Sequence, residues 1–186
     1  MRLLSLNSFG QIDEPVEDGA SFADNARIKA RYYSRATGHW SMGEDSGLVV
    51  EALDGAPGVW SARYAAGQCP PAADRQTITV ANNAKLLAEL DGVPEEGRVA
   101  RFVCHIALAD AQDVLLETSG VVEGRISCEP RGRNGFGYDP LFYVPELGST
   151  MAELSAERKN AISHRGKAVR SFAELLADVL RPDQAG

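Results

Sequence analysis

The sequence predicts an α/β or α+β fold, a mixed β-sheet flanked by helices. Three observations carry this. Segments of helical periodicity alternate along the chain with segments rich in β-branched and apolar residues. The 186 residues suit one domain, residues 1–186, and are enough to bury a single core. The composition, 44% hydrophobic and 24% charged, is that of an ordinary globular protein, with no repeat, low-complexity tract or linker.

The elements follow in order. Residues 1–6 read as a strand or part of one. Residues 21–37 read as a helix, with Ser21 as N-cap, Asp24 three residues on and Gly38 as C-cap. Its apolar face would be Phe22, Ala26, Ala30 and Tyr33. Residues 47–53 read as a strand and Asp54-Gly-Ala-Pro-Gly58 as a turn. A second helix spans 74–90, capped by Asp74 and closed by Gly92. Two long strands, 98–109 and 114–126, flank a hairpin turn at Asp110-Ala-Gln-Asp113. Residues 129–139 are a Gly- and Arg-rich loop, and Thr150 with Glu153 fits a capping box. The last helix, 167–180, places Val169, Phe172, Leu176, Val179 and Leu180 at core spacing, and the tail from Arg181 is expected to fray.

Charge narrows the function. Lys and Arg number 19 against 26 Asp and Glu, a net charge of −7, which disfavours a nucleic-acid polymer as partner. No apolar run approaches the roughly 20 residues that span a bilayer, and no signal peptide is visible, so no membrane partner is expected. Three scattered cysteines (Cys69, Cys104, Cys128) suit a reducing, cytoplasmic setting rather than a disulfide framework. The charges are also segregated. No Lys or Arg falls between Arg2 and Arg27 or between Arg35 and Arg63, whereas residues 155–170 carry five basic residues against Glu157 alone. An acidic part suits a hard metal and a basic segment suits phosphate; both also suit plain solvated surface.

Four segments carry chemistry. Glu44-Asp45-Ser46-Gly47-Leu48 puts two carboxylates at the entry of an apolar strand, where they can ligate Mg²⁺ and activate water, or form an exposed turn. Asp24 and Asn25 open the first helix, as caps or as ligands, with Lys29 one turn on from Asn25 and able to reach a phosphate. Gly135-Phe136-Gly137-Tyr138-Asp139-Pro140 frames an aromatic ring between glycines, suited to stacking on a base or to plugging the core beneath a loop. Lys159 to Gly166 holds His164 and Arg165, donors for a carbonyl oxygen or a phosphate, and Lys159, a compact charge for phosphate. No Gly-x-Ser-x-Gly elbow, His-Glu-x-x-His pair or Walker-type Gly-Lys-Ser/Thr occurs, and His39, His105 and His164 lie too far apart in sequence to suggest zinc.

Taken together, these segments resemble the inosine triphosphate pyrophosphatase family, which hydrolyses non-standard purine nucleoside triphosphates. The matching stretches are Phe22-Ala-Asp-Asn-Ala26 with Lys29, Glu44-Asp-Ser-Gly-Leu48, Gly55-Ala-Pro-Gly58 followed by Ser61-Ala-Arg-Tyr64, Gly135 to Pro140, and Lys159 with Ser163-His-Arg-Gly166. The resemblance implies a central mixed sheet flanked by helices, two lobes with a substrate cleft between them, a homodimer and a Mg²⁺ requirement. It implies hydrolysis of ITP, dITP and XTP to the nucleoside monophosphate and pyrophosphate. Asp45 would be general base and metal ligand, with Asp24 and Glu44 assisting the metal. Ser46, Phe136, Gly137, Tyr138, Asp139, Lys159 and Lys29 would contact substrate. His164 and Arg165 would read the 6-oxo edge of the purine.

The sequence also departs from the family pattern. Members usually begin with a strand ending in a Ser/Thr-x-Asn-x-x-Lys turn that cradles phosphates, and residues 1–6 align better with the strand after it. Asn82-Asn-Ala-Lys85 has partial spacing but lies inside a predicted helix, behind Val80 rather than a hydroxyl residue. Asp24 stands where the family more often has Glu. The expectation is a reading frame that continues upstream of Met1. The alternative is a truncated, catalytically impaired nucleotide-binding protein of the same fold.

Overall fold

Residues 2–180 are described by the computed structural model. Two long antiparallel ladders form its centre. Strand β1 (Ser41–Val50) pairs with β2 (Val99–Ala109), and β2 pairs with β3 (Val114–Ile126). The β2–β3 turn closes as expected, with Asp110 Oδ1 accepting from the N–H groups of Gln112 (2.8 Å) and Asp113 (2.7 Å). Short strands β4 (Phe142–Val144) and β5 (Ser149–Thr150) continue the sheet beyond β3. The α/β class is as expected, but every pairing among the described strands is antiparallel, where a mixed sheet was expected. The cause is the path of the chain. Val50 at the end of β1 lies opposite Ala100 at the start of β2, so the helix between them stays at one end of the sheet instead of crossing back along it.

Alternation along the strands decides what each face meets. On one face Gly43 lies against the backbone of Ala26 and Ala30 in α1 (Phe22–Thr37). On the other, Gly120 lies against the backbone of His164 and Ala168 in α4 (His164–Val179). The two helices sandwich the sheet. The α4 face carries two apolar clusters. One lies under α4, where Cys104, Ile106 and Leu108 meet Ala168 and Phe172. The other lies under α2 (Arg75–Glu89), where Leu86 and Leu90 meet Leu48, Val50 and Phe102. Each fully buried Leu or Ile stabilises the fold by about 1.5–3 kcal/mol. The start of α4 falls between the two clusters: His164 stacks on Phe102 of one, and Ala168 packs in the other.

Helix α1 matches its sequence signals. Ser21 Oγ accepts from the Asp24 N–H (3.1 Å), and Gly38, left-handed at φ 70°, donates to the Ser34 carbonyl (2.8 Å). Phe22, Ala26 and Ala30 are buried and Tyr33 half-buried, but Asn25 and Ser34 are buried beside them. Helix α2 is capped by Asp74, whose Oδ1 accepts from Thr77 N–H (2.7 Å). Thr150 and Glu153 form the expected capping box.

Four expectations need correction. Residues 2–6 form no strand; a single 3₁₀ turn, Leu6–Phe9, is capped by Ser5, because Ser, Asn and Gly there favour local turn bonds over a ladder. The strand expected at 47–53 is Ser41–Val50. It begins early because Gly43, Glu44 and Asp45, turn-like in sequence, are strand residues with partners on either face. It ends at Val50, where a 3₁₀ turn (Glu51–Leu53) passes to Asp54 at φ 51°. The last helix starts at His164, directly after α3 (Ala156–Ile162), which has too few residues for a periodic signal. Its buried face runs through Ala168 and Phe172, so Val169, Val179 and Leu180 are exposed rather than in the core. The tail from Arg181 lies outside the described residues.

Candidate active site

Glu44 and Asp45 are neighbours in β1, so their side chains leave opposite faces of the sheet. Asp45 turns toward α1. Its Oδ1 accepts from Lys29 Nζ (2.7 Å) and its Oδ2 from Asn25 Nδ2 (3.2 Å). Lys29 also pairs with Glu17 (3.2 Å). Asn25 is fully buried, and its own Oδ1 accepts from the Gly19 N–H (2.9 Å). Burial pushes the Asp45 carboxyl above the ordinary range, and the Glu17 charge adds to this, although the Lys29 and Asn25 bonds oppose it. The result is a partly desolvated carboxylate held beside a lysine.

Glu44 turns toward the start of α4. Its Oε1 accepts from Arg165 Nε (3.0 Å) and from Cys104 Sγ (3.5 Å). Arg165 Nη2 also donates to Ser46 Oγ (3.1 Å), so β1 braces this guanidinium at two points two residues apart. Burial raises the Glu44 pKa, but Arg165, Ser46 and Cys104 outweigh it and hold the carboxyl below its usual range.

The loop before β4 forms the opposite wall. Asp139, nearly buried, accepts from the Phe136 N–H (2.6 Å) and pairs closely with Lys159 Nζ. The tight turn needs Gly135 at φ 78°, and a Cβ there would strike the Asp139 carboxylate. Phe136 is 54% exposed, so it does not plug the core. Lys159 Nζ lies 4.6 Å and Arg165 Cζ 5.2 Å from its ring centroid. Tyr138 is the residue that plugs the core, with its hydroxyl donating to the Ser61 carbonyl (2.9 Å).

Ser46, Phe136, Gly137, Tyr138, Asp139, His164 and Arg165 all line one cavity of about 140 Å³, with Lys159 against its Phe136 wall. That is room for one planar ring. A groove of about 790 Å³, between α2 and residues 130–141, opens on the other side of Phe136. Asp45 and Lys29 are outside this cavity, on the other face of β1. Among the described strands β1 is an edge strand, and Asp45 and the cavity lie on its two faces. Asp24 joins neither group: it bonds Arg27 (3.1 Å) and Ser21 (2.7 Å) at the surface.

Sequence reasoning missed several contributors. Asn25, a cap or a ligand by its place in the sequence, is instead a buried bridge between Gly19 and Asp45. Glu17 stands out in the sequence only as one acid of the Lys- and Arg-free stretch before Arg27. Phe102, whose ring stacks on His164 at 4.9 Å, was indistinguishable from any other strand aromatic.

The comparisons with known proteins agree with one another. The model of the Ham1 family matches residues 1–175. The chain belongs to the Ham1 family. Among Ham1 relatives, a dITP/XTP pyrophosphatase of Desulforamulus reducens is 49% identical over 175 residues, covering 94% of this chain and 83% of the relative. One from Geobacter sulfurreducens is 52% identical over 167 residues, covering 90% and 80%. A HAM1 protein from Coxiella burnetii superposes with a TM-score of 0.82 at 41% identity, covering 92% of this chain and 84% of that one. The dITP/XTP pyrophosphatase structure from Mycobacterium abscessus gives 0.76 at 41% identity, covering 94% and 85%. Among the described residues, no helix is long and apolar enough to cross a membrane.

Proposed function

We propose that this Ham1 chain hydrolyses ITP, dITP and XTP to the nucleoside monophosphate and pyrophosphate. One observation carries the reading: a ring-sized cavity walled by Phe136, His164 and Arg165 lies on the opposite face of the edge strand β1 from the half-buried carboxylate of Asp45. The purine stacks on Phe136, and Arg165, braced by Glu44 and Ser46, donates to the 6-oxo oxygen. Adenine presents an amino donor there, so donor would face donor; such mismatches are worth several orders of magnitude in specificity. Asp45 takes a proton from the water that attacks the α-phosphorus, and its desolvation suits it to that role. Lys29 neutralises phosphate charge as the ligand arrives.

The donor set suits Mg²⁺. The described residues hold no group of three metal-ligating side chains, but Asp45 and Glu17 grip the same ammonium, that of Lys29. Two carboxylates completed by phosphate oxygens and water are a common Mg²⁺ shell. Bound there, Mg²⁺ would lower the charge on the triphosphate. Asp45 would belong to that shell. Glu44, on the other face, and Asp24, paired with Arg27, are less suited than expected. The family resemblance further supports a homodimer, which sizing would show as twice the 20.0 kDa of one chain, and the sparse cysteines support a cytoplasmic setting.

Asp45→Asn tests the mechanism. ITP turnover with Mg²⁺ should fall at least a hundredfold while IMP still binds in calorimetry; a fully active variant would remove Asp45 from the reaction.

A further inference from the structure

A histidine in a binding cavity is ordinarily oriented by a hydrogen bond at its second ring nitrogen. His164 lacks one. Its Nδ1 is buried without a hydrogen-bond partner among the described residues. Nδ1 being the sealed nitrogen, Nε2 is the one left open to the cavity. What touches the ring is Phe102, at the middle of β2, opposite Leu48 of β1 and Val122 of β3. The two rings are 4.9 Å apart and 19° from parallel. Phe102 is itself held from behind by Phe142, 4.4 Å away, and both lie in the core. The aromatic plate is therefore fixed to the sheet.

We infer that Phe102 is a positioning residue for substrate binding: its ring face fixes the plane of His164, so that Nε2 points at the bound purine. The inference rests on the reading of the cavity as the purine site. Stacking replaces the missing hydrogen bond. It also keeps water from the sealed face of the imidazole, which matters because the neutral ring can donate or accept at Nε2. Burial, with the charges of Arg165 and Lys159 close by and Glu44 opposing them, holds the His164 pKa down at about 4, so the ring is neutral at pH 7.

The test uses Phe102→Leu, which keeps an apolar side chain but removes the flat face, and Phe102→Tyr, which restores it. Leu90→Ala serves as the structural control, because Leu90 belongs to the same core cluster but does not line the cavity. Two readouts are taken on the whole chain: KM and kcat for ITP, and the His164 ring titration by NMR. Phe102→Leu should raise KM about fivefold, the scale of one lost aromatic pair, with kcat within twofold. It should also move the His164 titration up from about 4 toward 6.5. Phe102→Tyr should recover both. An unmoved titration in Phe102→Leu, or an equal KM rise in Leu90→Ala, would overturn the inference. The titration needs no substrate, so a shifted titration with no ITP binding in the wild type would fault the purine assignment instead.

Discussion

Glu44 and Asp45 are adjacent in the chain and separate in chemistry. The sequence suggests two acids on one metal. The strand's alternation sends one to Lys29 and the other to Arg165. Glu44→Gln should therefore weaken the hold on Arg165 and raise the KM for ITP about tenfold, the cost of one bond to a charged group. The Mg²⁺ concentration giving half-maximal rate should not move; a shift in it would return Glu44 to the metal. His164 carries a second prediction. Folding lowers its pKa from 6.5 to about 4. Between those values the unfolded chain binds a proton that the folded chain does not, so His164 costs stability as pH falls through the window. The slope from this group is at most about 1.4 kcal/mol per pH unit. His164→Gln should flatten the fall in Tm between pH 6.5 and 4; a profile as steep as the wild type would mean the ring is not held neutral. The roles of Arg165 and Phe136 were open to sequence reasoning because basic and Gly-framed aromatic residues stand out. The burial of Asn25 and the stack under His164 were not, since both depend on which strands come together.

At the level of elements, two glycines set how close each helix approaches the sheet. A Cβ at Gly43 would overlap the Ala26 carbonyl and the Ala30 N–H; one at Gly120 would overlap the His164 carbonyl and the Ala168 N–H. Each substitution by Ala should cost about 1–3 kcal/mol of stability by overpacking. The kinetic effects should differ. Gly43→Ala displaces α1, and with it Lys29 and Asn25, so kcat should fall most. Gly120→Ala displaces the start of α4, and with it His164 and Arg165, so KM should rise most. Gly67→Ala, with open space around the new methyl, should leave Tm and kinetics unchanged. Identical kinetics for Gly43→Ala and Gly120→Ala would mean that the two helices do not serve separate halves of the site. Long elements were legible: 98–109 differs from β2 by one residue, and 114–126 matches β3. Strands of two or three residues, such as β4 and β5, carry no readable period, and β1 was shortened because its site residues look like a turn.

For the molecule as a whole, the net charge of −7 conceals a division that the fold uses. The acidic segments supply Glu17, Glu44 and Asp45; the basic segment supplies Lys159 and Arg165, brought across the cleft by α3 and α4. Under the proposed function, one elongated ligand meets a stacking wall, a guanidinium and a partly desolvated carboxylate in succession around the β1 edge. The motifs are legible in the sequence but their placement is not, because it depends on β1 being an edge strand among the described strands. The most direct measurement is pyrophosphate release by this chain with Mg²⁺, from ITP and from ATP at equal concentration. The account predicts release from ITP at least a hundredfold faster than from ATP. Equal rates with the two nucleotides, or no release from ITP, would contradict it.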